Sequence, residues 1–195
     1  MRNAAFTTAI CAVAAVAAAC SSTPASHFYT LSPGETPAAV PASKTASFSV
    51  VVGPVSIPAL VDMPQIVVSA GPNQVTIDEY NRWASPLQNN IERVVAENLV
   101  SMLGTPRVSV FQQSLNDAAD YRVAIEVQSF ESAPGVASTL NAVWIVRRTR
   151  DGRQEMGRTT VREVVVDKGY DALAAAHSRA LAQMSREIAD TIRSL

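Results

Sequence analysis

Histidine is almost missing from this chain: His27 and His177 are its only two. They are too far apart for metal-ligand spacing, and any serine–histidine–acid arrangement must be built around one of them. Cysteine is equally scarce, with Cys11 and Cys20 both near the N-terminus. A thiolate metal site therefore has no ligands to draw on. No Gly-x-Ser-x-Gly turn and no glycine-rich phosphate loop occurs, so the common hydrolase and nucleotide signatures are absent. An excess of base is lacking too. The 16 Lys and Arg face 17 Asp and Glu, which argues against a nucleic-acid partner, whose affinity comes largely from phosphate neutralisation. Beyond residue 19 there is no apolar run near the roughly 20 residues a spanning helix needs. No cofactor is expected.

What is present begins at the N-terminus. Met1-Arg2-Asn3 carries one positive charge, and Ala4 to Ala19 carries none and is dominated by Ala, Val, Ile and Phe. The run exits through Ala17-Ala18-Ala19 into Cys20. Charged start, apolar middle and small-residue exit make residues 1–19 a signal peptide. Small residues ahead of Cys20 resemble a lipobox. That resemblance implies diacylglycerol on the Cys20 sulfur, cleavage before it and acylation of the new amino group. Two or more acyl chains anchor stably where one does not. The alternative is an ordinary cut after Ala19 that leaves a soluble periplasmic protein. Cys11 lies in the removed segment, so no intramolecular disulfide is possible, and lipidation explains the lone Cys20. Ser21 and Ser22 follow it, with no Asp to signal inner-membrane retention. Outer-membrane residence on the periplasmic face is expected.

Residues 20–47 read as a lipidated cysteine and a Ser/Pro/Ala-rich tether that holds the domain off the membrane. Between Ser21 and Ser47 only Glu35 and Lys44 are charged, and such a stretch cannot bury a core. The exception is His27-Phe28-Tyr29-Thr30-Leu31, a β-prone run read as a short docking strand. Residues 48–195 are read as one domain, long enough for a single core. Phe48 to Val55 is a strand. Gln65–Ser69 and Gln74–Ile77 flank Gly71-Pro72-Asn73 as a hairpin. A helix is expected after Ser85 as N-cap, with Pro86 at its first position and Gln88 closing a capping box, ending at Gly104. Strands follow at Arg107–Phe111, Tyr121–Gln128, Leu140–Arg148 and Thr159–Val166, with Asp151-Gly152 turning the last pair. A final amphipathic helix spans Tyr170 to Leu195. This order predicts an α+β fold: a single two-layer domain with a mixed, mostly antiparallel sheet and two main helices packed on it.

Few side chains stand out as chemistry. His177 falls on the apolar face of the last helix and reads as a core-edge residue. Asp78-Glu79 and Asp117 with Asp120 read as caps and solvated turns. Arg147, Arg148, Arg150 and Arg153 surround the Asp151-Gly152 turn, either as a solvated tip or as a contact to anionic groups. The segment Leu60–Val67 has no helical period and reads as an extended edge or loop. An edge strand can add another strand. Leu60, Gln65, Ile66 and Val67, with Trp83, are therefore candidate partner-binding residues. The opposing reading is an ordinary edge covered by Phe28–Leu31.

Five pieces of sequence carry a family resemblance: Phe28-Tyr29-Thr30-Leu31, Val55-Ser56-Ile57-Pro58, Leu60-Val61-Asp62-Met63-Pro64-Gln65-Ile66-Val67, Glu79-Tyr80-Asn81-Arg82-Trp83-Ala84-Ser85-Pro86-Leu87 and Ala96-Glu97-Asn98-Leu99. Together they resemble the PqiC-type auxiliary lipoproteins of ABC-type and mammalian-cell-entry (MCE) transport systems. Met63 and Ser85 depart from the basic and acidic residues common at those places. The resemblance implies a non-enzymatic docking component of an envelope lipid transport system, attached to outer-membrane lipid. Its partners would be an MCE-domain protein and an ABC permease complex, and the resemblance also implies homo-oligomeric rings. Two other readings compete: a periplasmic lipid- or ligand-binding module, and a hydrolase with an unrecognised site.

Overall fold

A computed structural model describes residues 24–34, 47–111 and 119–195. The chain forms, in order, β1 (His27–Tyr29), β2 (Val50–Ser56), β3 (Gln65–Gly71), β4 (Gln74–Trp83), α1 (Leu87–Leu103), β5 (Val108–Val110), β6 (Tyr121–Ala133), β7 (Ala137–Arg148), β8 (Gln154–Val164) and α2 (Tyr170–Ser194). The fold is α+β, as the order of strand and helix patterns predicts. The strands divide between two sheets. Five lie in the order β5-β2-β6-β7-β8, with β2 parallel to both neighbours and β6, β7 and β8 antiparallel. Three lie in the order β1-β4-β3, with β1 parallel and β3 antiparallel to β4. Pro58 and Pro64 help to explain the division. A proline cannot donate to a ladder, and the chain leaves β2 through a turn in which Val61 N–H bonds the Pro58 carbonyl (3.0 Å).

Both helices cover one face of the five-stranded sheet. α1 buries Leu87, Ile91, Val94, Val95, Leu99 and Leu103, and α2 buries Leu173, Leu181, Met184, Ile188 and Ile192. Under them lie Val123, Ile125 and Val127 of β6 and Leu140, Ala142 and Val146 of β7, in one continuous cluster. Each fully buried aliphatic side chain contributes about 1.5–3 kcal/mol. The other sheet face carries Glu126 and Gln128 in the open, as the alternation along β6 requires. A bulge next to Gln128 re-phases β6, so inward positions shift from Val127 to Phe130 and Ser132. Opposite Trp144, Gly157 leaves room for the indole: a Cβ there would lie 2.1 Å from Trp144 Cζ2.

The start of α1 departs from the capping-box expectation. Pro86 is itself the N-cap, extended at φ −48° and ψ 129°, and no side chain caps the helix. The Pro86 carbonyl accepts the first bond, from Asn90 N–H at 3.0 Å. Pro86 is extended rather than helical, so the helix starts one residue later than expected and Ser85 lies one step too early to cap. At the far end Gly104 adopts φ 66° and stops α1 as expected.

Candidate functional site

The segment from His27 to Gly34 is fastened to the domain along its whole length. β1 pairs with the end of β4, in the register His27–Asn81, Phe28–Arg82 and Tyr29–Trp83. The Tyr29 hydroxyl donates to Asn81 Oδ1 (2.9 Å), and its ring lies 5.8 Å from that of Tyr170. Leu31 is only 1% exposed and belongs to the core. Arg93 Nη2 donates to the Leu31 carbonyl (2.6 Å) and to Asn90 Oδ1 (2.9 Å), while Nη1 grips Glu97. Further on, Ser32 N–H donates to Ser178 Oγ (3.0 Å) and Gly34 N–H to Asn98 Oδ1 (2.9 Å). Gly34 meets α2 so closely that a Cβ would lie 2.7 Å from Ala182 Cβ. Asn90 and Asn98, both buried, sit eight residues apart on one row of α1 with Val94 between them. Neither asparagine stands out in the sequence as a contact residue. Their spacing beside the apolar stripe is the signal that would have found this seat.

Around it the expected partner residues separate. Ile66 and Val67 are buried in the core, and Trp83 is 6% exposed with its ring edge-on to Phe130 (centroids 6.2 Å). Gln65 is half-buried and donates to Glu79 Oε2 (3.2 Å). Leu60 alone of the five is exposed, at 52%. β1 pairs with β4, so it does not cover β3, which is an outer strand of its sheet among the described residues. Cys20 lies outside the described residues.

From the acidic and basic clusters, Asp78, Asp120 and Arg148 act as structural fasteners, and Asp117 lies outside the described residues. Asp78 accepts from the amides of Tyr80 and Asn81 (both 2.9 Å) and from the Tyr170 hydroxyl (2.6 Å). Partial burial works against its charge, but these bonds outweigh that and hold its pKa below the ordinary value. Burial, aided by the bond to Asp78, raises the Tyr170 hydroxyl. Asp120 accepts from Ser49 N–H (2.7 Å) and Ser49 Oγ (2.8 Å), which lowers its pKa. Arg148 is buried, with Nε 3.0 Å from Asp151 Oδ1, and it also bonds the Leu195 carbonyl. The hydrogen bond from Arg148 brings Asp151 down to about 2.

One serine–histidine pair does exist. His177 Nε2 lies 2.8 Å from Ser132 Oγ, and its ring stacks on Phe130 with centroids 3.7 Å apart. Both residues are buried, and His177 Nδ1 has no hydrogen-bond partner. A nucleophile–base pair needs substrate access and a group that orients the base; this pair has neither. Burial lowers His177 to about 3. Among the described residues no three His, Cys, Asp or Glu side chains converge as metal ligands. A groove of about 920 Å³ lies between the helices, lined among others by Asn98, Ser178, Ala182, Arg179, Arg186 and Asp190.

Such an arrangement defines a scaffold that seats its own N-terminal segment. The sequence profile of ABC-type transport auxiliary lipoprotein components matches residues 29–189, starting inside that seated segment. The chain belongs to this family. Its fold is shared with a crystal structure of an uncharacterized protein, 21% identical, which covers 87% of this chain and 99% of that one at a TM-score of 0.70. It is also similar to protein XCC0632 from Xanthomonas campestris (DUF330), 25% identical, covering 83% of this chain and 92% of that one at a TM-score of 0.64. No curated protein matches the sequence. Among the described residues no helix is long and apolar enough to cross a membrane.

Proposed function

We propose that this chain is a lipid-anchored, non-enzymatic docking component of an MCE/ABC-type envelope lipid transport system, held by acylated Cys20 at the periplasmic face of the outer membrane. The family match over residues 29–189 carries the reading. A signal-like segment ending at Cys20, nine residues before that match, supports the anchor. The two-helix core leaves the histidine pair sealed, which supports a role without catalysis. For the partner contact, the outer edge of β3 and the exposed Leu60 offer backbone groups and an apolar side chain. Ile66, Val67 and Trp83 would then shape that edge from beneath. The MCE-domain protein and the ABC permease are the expected partners, and assembly into a homo-oligomer would use the same surface.

The test has two arms. Cys20→Ser should abolish acyl labelling and release the protein from membranes, and wild-type protein without an acyl mass overturns the anchor. Affinity capture on the acylated protein should bring down an MCE-domain protein and lose it on Leu60→Asp; capture that is unaffected overturns the docking surface. One observation favours a ligand-binding alternative, the groove of about 920 Å³. Its charged rim suits a polar ligand better than an acyl chain. A small molecule co-purifying in stoichiometric amount would favour that reading.

A further inference from the structure

We infer that the β1 end of the domain, led by Phe28, rests on the lipid bilayer surface and that the Arg148–Arg153 turn faces away from it. The inference rests on the acylation of Cys20 proposed above. Composition makes residues 20–47 a long spacer apart from the β-prone run His27–Leu31. The hydrogen bonds and burial from His27 to Gly34 remove most of it, because a segment tied to Arg93, Ser178 and Asn98 cannot pay out. Only Ser21 to Ser26 separate the anchor from β1. Seven residue steps reach about 25 Å when fully extended, and a flexible chain of that length averages about 15 Å.

That distance is short against the domain. α2 is 25 residues long and therefore about 37 Å from end to end. Its first residue, Tyr170, touches Tyr29 of β1, and the carbonyl of Leu195 just past its other end is held by Arg148. The β1 end and the Arg148–Arg153 turn thus lie at opposite ends of α2, and the anchor holds the first of them close to the membrane. Among the described residues β1 is an outer strand, and Phe28 is 65% exposed, directly across from Arg82. An aromatic ring in water on so short a leash from an acylated residue has an apolar environment within reach. A bilayer surface fits it, with the ring entering the interface while the strand backbone stays at headgroup level.

The test uses full-length acylated protein in vesicles of phosphatidylcholine with a fifth phosphatidylglycerol. An environment-sensitive fluorophore is placed through His27→Cys or, separately, Arg150→Cys, and spin-labelled lipids serve as quenchers. The mass of each sample records its acylation. Quenching should be strong at position 27 and at least fivefold weaker at position 150. Phe28→Ser should reduce the quenching at position 27 by at least half, and since Phe28 is mostly exposed the variant keeps its fold. Acylated protein with equal quenching at the two positions, or none at position 27, overturns the orientation while leaving the anchor intact. Quenching unchanged by Phe28→Ser overturns the role of that side chain. A sample with no acyl mass overturns the anchor and the orientation together.

Discussion

Acidification from pH 7 to pH 5 should destabilise this domain through one residue. His177 is fully buried, stacked on Phe130, and paired only with Ser132. Its Nδ1 has no partner, so a proton added there would place an uncompensated charge in the core. The folded pKa of about 3 lies below the ordinary 6.5 of the unfolded chain. Below pH 6.5 the unfolded state therefore binds more protons than the folded one, and stability falls as pH falls. The linkage amounts to about 2 kcal/mol between pH 7 and pH 5, approaching about 5 kcal/mol below pH 3. With a urea slope of about 2 kcal/mol/M, the first step lowers the midpoint by about 1 M. The reference is Ser132→Ala/His177→Leu, which nearly conserves volume and removes both partners, so neither polar group is stranded. His27→Gln in both proteins leaves His177 of the parent as the one imidazole in the comparison. Glu92, raised by burial, acts with the opposite sign and cancels in the comparison. Urea melts of the two proteins at pH 7 and pH 5 decide it. If the reference loses as much midpoint as the parent, His177 does not carry the acid sensitivity and the reasoning fails.

Leu31→Ala should cost about 2–5 kcal/mol, because it opens a cavity in the core, and should strip hydrogen-exchange protection from the Ser32 and Gly34 amides; protection that persists shows the segment held by its hydrogen bonds alone. Gly34→Ala must push against Ala182 and is expected to cost about 1–3 kcal/mol in thermal unfolding, so an unchanged melt would mean the segment shifts freely. Trp83→Ala should destabilise the domain by about 3–5 kcal/mol, whereas Leu60→Asp should stay within about 0.5 kcal/mol; calorimetry that reverses this order places Trp83 at a surface. Arg148→Met should return the Asp151 carboxyl from about 2 toward the ordinary carboxylate range, read by an NMR titration, and a carboxyl that still titrates near 2 would assign the shift to the turn backbone.

Local pattern was enough for much of this protein. The period of Leu87, Ile91, Val94, Val95 and Leu99 determined α1 and its buried face, because a 3.6-residue repeat puts those side chains on one stripe. Gly71-Pro72-Asn73 and Asp151-Gly152 determined two hairpins through turn chemistry. The alternation along β6 told which face of the five-stranded sheet meets water, up to the bulge that re-phases it. These are properties of neighbours in sequence, and neighbours suffice to set them.

Tertiary structure decided the rest, since it turned on which distant groups meet. His27-Phe28-Tyr29-Thr30-Leu31 reads as a docking strand and Ser32 to Gly34 as spacer, yet the seat extends to Gly34 because Arg93, Asn98 and Ser178 offer partners across more than sixty positions of chain. Composition does not register a seat made by side chains from two helices. The run Leu60–Val67 and Trp83 looked like one surface. Instead Trp83 turns inward onto Phe130 and Leu60 stays in water, a separation that follows from packing two sheets together. Ser132 and His177 form a pair only because the bulge in β6 aims Ser132 inward at the place where α2 crosses, and no pattern within either segment encodes that crossing.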